Sequence, residues 1–269
     1  MDLFSNDRDF STESSFDRSS LGAGLRFGYD ITEKLSQSWR YQFSRDEVTN
    51  VTAGASSAIR EQEGSSVKST IGQSLTYDTR DSRVDPTEGF LARFSIDFAG
   101  LGGSVKHVRN RIAGVKYFPI TEQIIANLSG EAGVVAGLGE RTRIIDRFYL
   151  GGRNLRGFTN FGAGPRDIVT NDAIGGLWIY SGSAQVAFPM GLPNELGIRG
   201  RVFSDIGSSG SSDTSFGTIR DTKSLRAAVG VGLSWKSPFG PIAFDISKVV
   251  KKEDFDETEL VRFDFGARF

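Results

Sequence analysis

The chain has no cysteine among its 269 residues. Disulfides, thiolate zinc sites and thiol nucleophiles are therefore excluded. It also lacks long apolar runs. No stretch approaches the roughly 20 consecutive apolar residues that a membrane-spanning helix requires. Charge of one sign is missing too: positive and negative side chains intermix to a formal net charge of −1. No basic block offers a surface for nucleic acid. Histidine is reduced to one residue, His107, so any Ser–His–acid site would have to use it. Ser104 precedes it without a Gly-x-Ser-x-Gly context, and a surface or interior histidine is the expected reading. Asp78, Asp81 and Asp85 lack EF-hand spacing and read as an Asp-rich turn. Gly100-Leu101-Gly102-Gly103 has no helix behind it and makes no phosphate cradle. The chain is expected not to be an enzyme and to need no cofactor and no metal.

What is present is alternation. Val261, Phe263, Phe265, Ala267 and Phe269 share one parity; Arg262, Asp264, Gly266 and Arg268 share the other. A β-strand sends successive side chains to opposite faces, so this segment has one apolar and one polar face. The pattern recurs in about twelve stretches: 1–10, 19–29, 35–45, 66–78, 89–98, 105–118, 123–136, 175–188, 196–207, 223–236, 241–251 and 259–269. A hydropathy scan calls the chain soluble, with a mean hydropathy of −0.24. A transmembrane barrel strand, however, needs only about 9–11 residues, every second one apolar. Connections alternate in length. Those at 30–32, 119–121, 189–194 and 237–240 are short, whereas 46–65, 137–173, 208–222 and 252–258 are long and polar. The connections 79–88 and 99–104 break this rule. Short turns at one rim and long loops at the other describe an all-β, antiparallel transmembrane β-barrel spanning 1–269. An even strand count puts both chain ends on the short-turn side. Trp39, Tyr41, Tyr77, Phe118, Trp178, Tyr180, Phe188 and Trp235 fall near expected strand ends, as interfacial aromatics do.

The connection 137–173 is too long to be idle. It carries Phe148-Tyr149-Leu150-Gly151-Gly152-Arg153-Asn154-Leu155-Arg156-Gly157-Phe158. Paired glycines permit a tight bend, and an arginine among apolar groups needs a carboxylate of matching fork geometry. In strand 196–207, Ile198, Val202 and Ile206 share one parity and Arg199, Arg201, Phe203 and Asp205 the other. Asp205 is therefore expected to face the barrel interior.

Gly151-Gly152 followed by Leu155-Arg156-Gly157-Phe158 resembles the loop motif of BamA-type outer-membrane assembly factors (the bacterial surface antigen family). Tyr77-Asp78-Thr79-Arg80-Asp81 with Pro86-Thr87-Glu88-Gly89 resembles that family's turn between two mid-barrel strands. Phe203-Ser204-Asp205-Ile206-Gly207 resembles its aromatic-x-Asp-x-Gly strand. Ser237-Pro238-Phe239-Gly240-Pro241 resembles the penultimate turn, and Phe269, with Phe263 and Phe265, the C-terminal assembly signal.

The resemblance implies that 137–173 folds into the lumen and that Arg156 docks on Asp205. Gln185 stands where the family often has a second acidic residue, so a two-carboxylate clamp is not expected. The resemblance further implies an insertase of the bacterial outer membrane, multi-pass, with a periplasmic C-terminus. It would pair client strands at the barrel seam without ATP, aided by local bilayer thinning. Implied partners are unfolded outer-membrane proteins, membrane lipids and accessory lipoproteins that dock on periplasmic POTRA modules. Those modules and the first strands of a sixteen-stranded barrel have no counterpart here. Met1 to Arg8 also lack the basic head and apolar run of a signal peptide. The chain is thus expected to be a piece of something longer, either a truncated barrel or twelve strands that close by themselves. Rival readings are a two-partner secretion or TamA-like translocation barrel, and a passive porin lined by Arg199, Arg201, Arg226 and Asp245.

Overall fold

In the computed structural model, every residue is described except 194–195, 215, 238–239 and 267–269. Period-two alternation produces β-strands throughout. They are β1 Asp2–Asp9, β2 Asp17–Asp30, β3 Leu35–Thr49, β4 Gly64–Asp78, β5 Gly89–Gly103, β6 His107–Pro119 and β7 Ile125–Gly137. After a two-residue β8, Arg166–Asp167, come β9 Trp178–Pro189 and β10 Ile198–Gly210. After a second two-residue strand, β11 Ile219–Arg220, come β12 Arg226–Ser237, β13 Gly240–Lys251 and β14 Val261–Phe265. Strands β1–β7, β9, β10 and β12–β14 form one twelve-stranded sheet in sequence order, and β8 pairs with β11 apart from it. Every ladder is antiparallel.

The strands overrun their expected ends where polar residues continue the ladder. β3 reaches Thr49 because Glu47 and Val48 still pair with Ser65 and Gly64. β5 reaches Gly103, so the connection to β6 is only 104–106. Tyr41 consequently sits in mid-strand, opposite Leu25 and Ile71, and not at a rim. Three short helical turns, α1 Ser11–Ser14, α2 Ser57–Arg60 and a 3-10 turn at Ile144–Asp146, lie in connections and were not foreseen.

The distribution of polarity is inside out. Leu21, Leu25, Phe27, Phe43, Ile112, Leu128, Val231 and Phe263 are exposed, whereas Asp46, Arg156, Arg166, Arg201, Asp205, Arg226 and Asp245 are buried. Water would not sustain such an arrangement, because exposed apolar area is unfavourable there and charged side chains are rarely buried. Hydrocarbon outside and a filled polar interior do sustain it. No helix of the described residues is long and apolar enough to cross a membrane, so any crossing is made by strands.

β1 and β14 are the edges of the sheet. Laid flat, twelve strands would hold those edges about 50 Å apart at ~4.8 Å per strand. Yet two successive residues of the β7–β9 connection touch both ends. Asn160 accepts a hydrogen bond from Arg262 of β14 at 3.2 Å, and the Phe161 ring lies 5.5 Å from that of Phe10, just past β1. The sheet is therefore curled around that connection, although no ladder joins β1 to β14 among the described residues.

Candidate functional site

The β7–β9 connection runs from 138 to 177, beyond the expected end at 173 because Ile174–Leu177 has not yet joined the ladder. Gly175 takes a positive φ of 71° there. The connection supplies most of the apolar interior. Phe148, Leu150, Leu155, Phe158 and Ala163 cluster with Val135, Ile179 and Ala228 of the wall. A second cluster joins Ile144 and Ile174 to Phe16, Val48, Ala55, Ala58 and Ile59 near the long-loop rim.

The tip is a closed hairpin. The Gly152 N–H donates to the Phe158 carbonyl at 2.9 Å, and the Gly151 N–H donates to Asn154 Oδ1 at 2.8 Å. Gly157 has φ 91°, and a Cβ there would meet Ala228, Val249 and Ser247 atoms at 3.1, 3.2 and 3.3 Å. Only a residue without a side chain lets the backbone lie this close against β12 and β13. On the wall, Gly207 serves the same end: a Cβ would stand 3.0 Å from Leu150 Cδ1.

Gly157 presses the tip on the wall, and Arg156 then meets a prepared surface. Its side chain is 4% exposed. Nε and Nη2 donate to the two Asp205 oxygens, each at 2.7 Å, and the Arg156 backbone N–H adds a third bond to Asp205 at 3.1 Å. Nη1 donates to Gln185 Oε1 at 2.9 Å and Nη2 to Ser183 Oγ at 2.8 Å. The guanidinium carbon sits 3.4 Å from the centre of the Phe203 ring. The wall geometry follows from register: Asp205 pairs with Ser183 and Phe203 with Gln185 across β10 and β9. Two adjacent rows thus present a carboxylate, a hydroxyl, an amide oxygen and an aromatic face to one planar cation. Bidentate, charge-assisted contacts of this kind are the strong ones.

A second carboxylate is present after all, but on another strand. Asp245 of β13 lies 4.0 Å from Arg156 Nη1 and 2.7 Å from Arg201 Nη2. Two guanidinium groups and two carboxylates make the buried cluster neutral. Gln185 accepts a hydrogen bond, and Asp245 supplies the second negative charge.

Other anchors escaped sequence reasoning. Arg153 donates to Asp264 Oδ1 and to the Phe265 carbonyl, both at 3.2 Å, tying the hairpin to edge strand β14. Arg226 and Asp256, both wholly buried, form a two-bond pair at 3.0 and 3.1 Å. That pair holds the connection 252–260 over the hairpin, where Phe158 bridges Thr258. Lys68 of β4 reaches Asp146 at 2.7 Å and Asp46 at 3.3 Å, pinning the foot of the long connection. His107 lies against the same Asp146, its Nδ1 4.0 Å from Oδ2. At the rim, Asp167 accepts from Ser56 and Thr218 hydroxyls at 2.6 and 3.0 Å. Burial works to raise its pKa, but the bonds from Ser56, the Val169 N–H and Thr218 outweigh burial and hold it below the usual carboxylate value.

The Asp-rich turn is divided among separate tasks. Asp78 chelates Arg80, Asp81 accepts from Thr87 and Glu88, and Asp85 pairs with Lys236. Phe263 and Phe265 point outward from β14, 64% and 54% exposed. Phe269, Pro238 and Phe239 lie outside the described residues.

The profile of the Omp85 superfamily domain matches residues 1–269. The outer membrane protein assembly factor BamA of Neorickettsia risticii is 30% identical over 99% of this chain and 36% of its own length. A SAM50-like protein of Drosophila melanogaster is 29% identical over 94% of this chain and 57% of its own. The crystal structure of BamA from Haemophilus ducreyi lacking POTRA domains 1–3 superposes with a TM-score of 0.83 at 22% identity. It covers 97% of this chain and 57% of that one. The chain spans about a third of the length of its BamA relatives.

Proposed function

The chain belongs to the Omp85 superfamily, and on that premise we propose that it is the membrane-embedded part of a factor that inserts β-barrel proteins into the bacterial outer membrane. The observation that carries this reading is a polar-filled, apolar-clad sheet in which β14 is an edge strand with no ladder on its outer side among the described residues. An unpaired edge is a template for a further strand. Unfolded outer-membrane proteins would add strands there by β-augmentation. The driving force is burial of client apolar surface and satisfaction of its backbone groups in lipid, so ATP and covalent chemistry have no part.

The outer surface supports the same reading. On β9 the outward set runs from Trp178 to Phe188, ~34 Å along the strand and about 26 Å of membrane at a tilt near 40°. On β13 the apolar set Ile242, Phe244 and Ile246 is interrupted at Lys248. It covers ~14 Å along the strand, about 10 Å of height. Lipid beside β13–β14 would be thinned, lowering the barrier to insertion there. In this reading the short-turn rim and the C-terminus face the periplasm, and accessory lipoproteins would act through modules on the longer relatives. A passive pore fits less well: the hairpin occupies the interior and buries Leu150, Leu155, Arg156 and Phe158 to within a few per cent.

The test is folding of a urea-unfolded outer-membrane protein into vesicles, followed by heat-modifiable gel mobility. Vesicles carrying the chain should fold the client faster than empty vesicles, with no nucleotide added. A cysteine at Val261 should cross-link to the client's last strand. Equal rates with and without the chain would reject the proposal.

A further inference from the structure

A positively charged side chain stands where hydrocarbon should be. On β13 the outward parity is Ile242, Phe244, Ile246, Lys248 and Val250, and Lys248 is exposed between Ile246 and Val250, beside Val229 of β12. A lysine on the lipid face costs about 2–4 kcal/mol at the midplane and nearly nothing at the interface. Lys248 therefore marks a headgroup level that dips toward this strand.

The backbone then brings a second cation to the same face. Lys251 has the parity of buried Asp245 and Ser247 and would point inward in a regular strand. A register shift at Ala227/Ala228 pairs Ala228 with Val249 but Ala227 with Lys251. The extra residue, Val250, is absorbed as a bulge, and Lys251 is turned outward opposite Ala227; re-aiming a side chain is what bulges do. Lys252 follows, also exposed. None of the three lysines forms an ion pair among the described residues. Asp256, Glu257 and Glu259 are turned to Arg226, Arg166 and Arg262, whereas Glu253 and Asp254, which follow Lys252 in the connection, form no ion pair among the described residues. Below the amines lies an apolar shelf of Val229, Val231, Ile246 and Val261.

We propose that Lys248 and Lys251 form a docking site for the phosphate headgroup of an anionic membrane lipid, at the long-loop rim beside edge strand β14. The amines meet the phosphate and the shelf takes the acyl chains, so lipid is held where the sheet is open. This deepens the membrane reading above and rests on it.

The experiment is native mass spectrometry of the detergent-solubilised chain with dioleoyl phosphatidic acid, with dioleoylglycerol of identical chains, and with inorganic phosphate as competitor. The wild type should retain phosphatidic acid and not dioleoylglycerol. Lys248→Gln with Lys251→Gln should weaken retention roughly thirtyfold, whereas Lys248→Arg with Lys251→Arg should preserve it, both variants keeping heat-modifiable mobility. Equal retention of both lipids, or an unaffected glutamine variant, overturns the site. Competition by millimolar free phosphate would make it an ion site and overturn the lipid assignment. The membrane reading is judged separately: it fails if the wild type does not enter neutral vesicles, and loss of the phosphate preference with insertion intact refutes the lipid site alone.

Discussion

The wall at β9–β10 and the edges at β1 and β14 are built from the same alternating sequence, yet they stand at opposite extremes. At the wall every row is paired on both sides, and the inward positions are matched to one cation through four hydrogen bonds and a ring, with a fifth bond from the Arg156 backbone N–H. At the edges one side of each strand has no ladder partner among the described residues. β1 buries little, with Leu3 at 79% exposure. The contrast teaches that rigidity has been concentrated in the strands that receive the hairpin, with only β12 and β13 between them and β14. The inward hairpin braces the curled sheet from within, through Arg156 on β9–β10 and Arg153 on β14.

Breaking the wall should be costliest. Asp205→Ala leaves Arg156 buried beside Asp245, which Arg201 already occupies. Removing one partner of a buried pair costs about 3–5 kcal/mol, so the hairpin should undock and 148–158 become open to protease, with client assembly impaired. Asp256→Ala strands Arg226 in the same way and should release the connection 252–260. A slightly smaller loss is expected because Arg226 also bonds the Ser224 carbonyl at 2.9 Å.

Gly157→Val sharpens the comparison differently, since it adds no charge. It demands positive φ of a β-branched residue and drives atoms into Ala228 and Ser247. A loss of about 1–3 kcal/mol, read in hairpin protection, is expected, with the edges unaffected. Moving the charge tests electroneutrality. Asp245→Asn should weaken the site, and Gln185→Glu added to it should recover about 1 kcal/mol, because the cluster returns to two cations and two carboxylates. Gln185→Glu alone, giving three carboxylates, should not stabilise. At the other extreme, Leu3→Ser on β1 should shift the urea midpoint by no more than about 0.5 kcal/mol equivalent.

Acid should act on the rim. Asp167 has a folded-state pKa below its ordinary value. Its contribution is thus present above the unfolded value, near 4, and is lost as pH falls through the folded one. Proteolysis of 50–63 and 166–173 should be unchanged from pH 7 to 5 and rise below about pH 4.

Much of this was legible in the residues because period-two alternation states directly which side of a strand faces in. The parity of Val202 and Ile206 against Arg201, Phe203 and Asp205 was enough to aim Asp205 into the interior, and the resemblance of the loop motif named Arg156 as its partner. The partner on β13 was not legible. Asp245 reaches Arg156 across the hairpin, and alternation says nothing of which non-adjacent strands face one another through a filled interior. The Arg226–Asp256 pair and the Lys68–Asp146 tie were hidden for the same reason. Lys251 misleads outright, since a bulge reverses its face and no local signal marks it. Strand ends at Thr49 and Gly103 were missed because polar residues over a polar interior look like loop.

The central claim is that the hairpin is clamped inside the sheet by Arg156 on Asp205, and amide hydrogen exchange across 148–163 tests it most directly. The account predicts slow exchange at Gly152, Arg156 and Ala163 in the wild type, comparable with β9 and β10. In Asp205→Ala these amides should become fast while both strands stay protected. Fast exchange of 148–163 in the wild type, or unchanged protection in the variant, would contradict it.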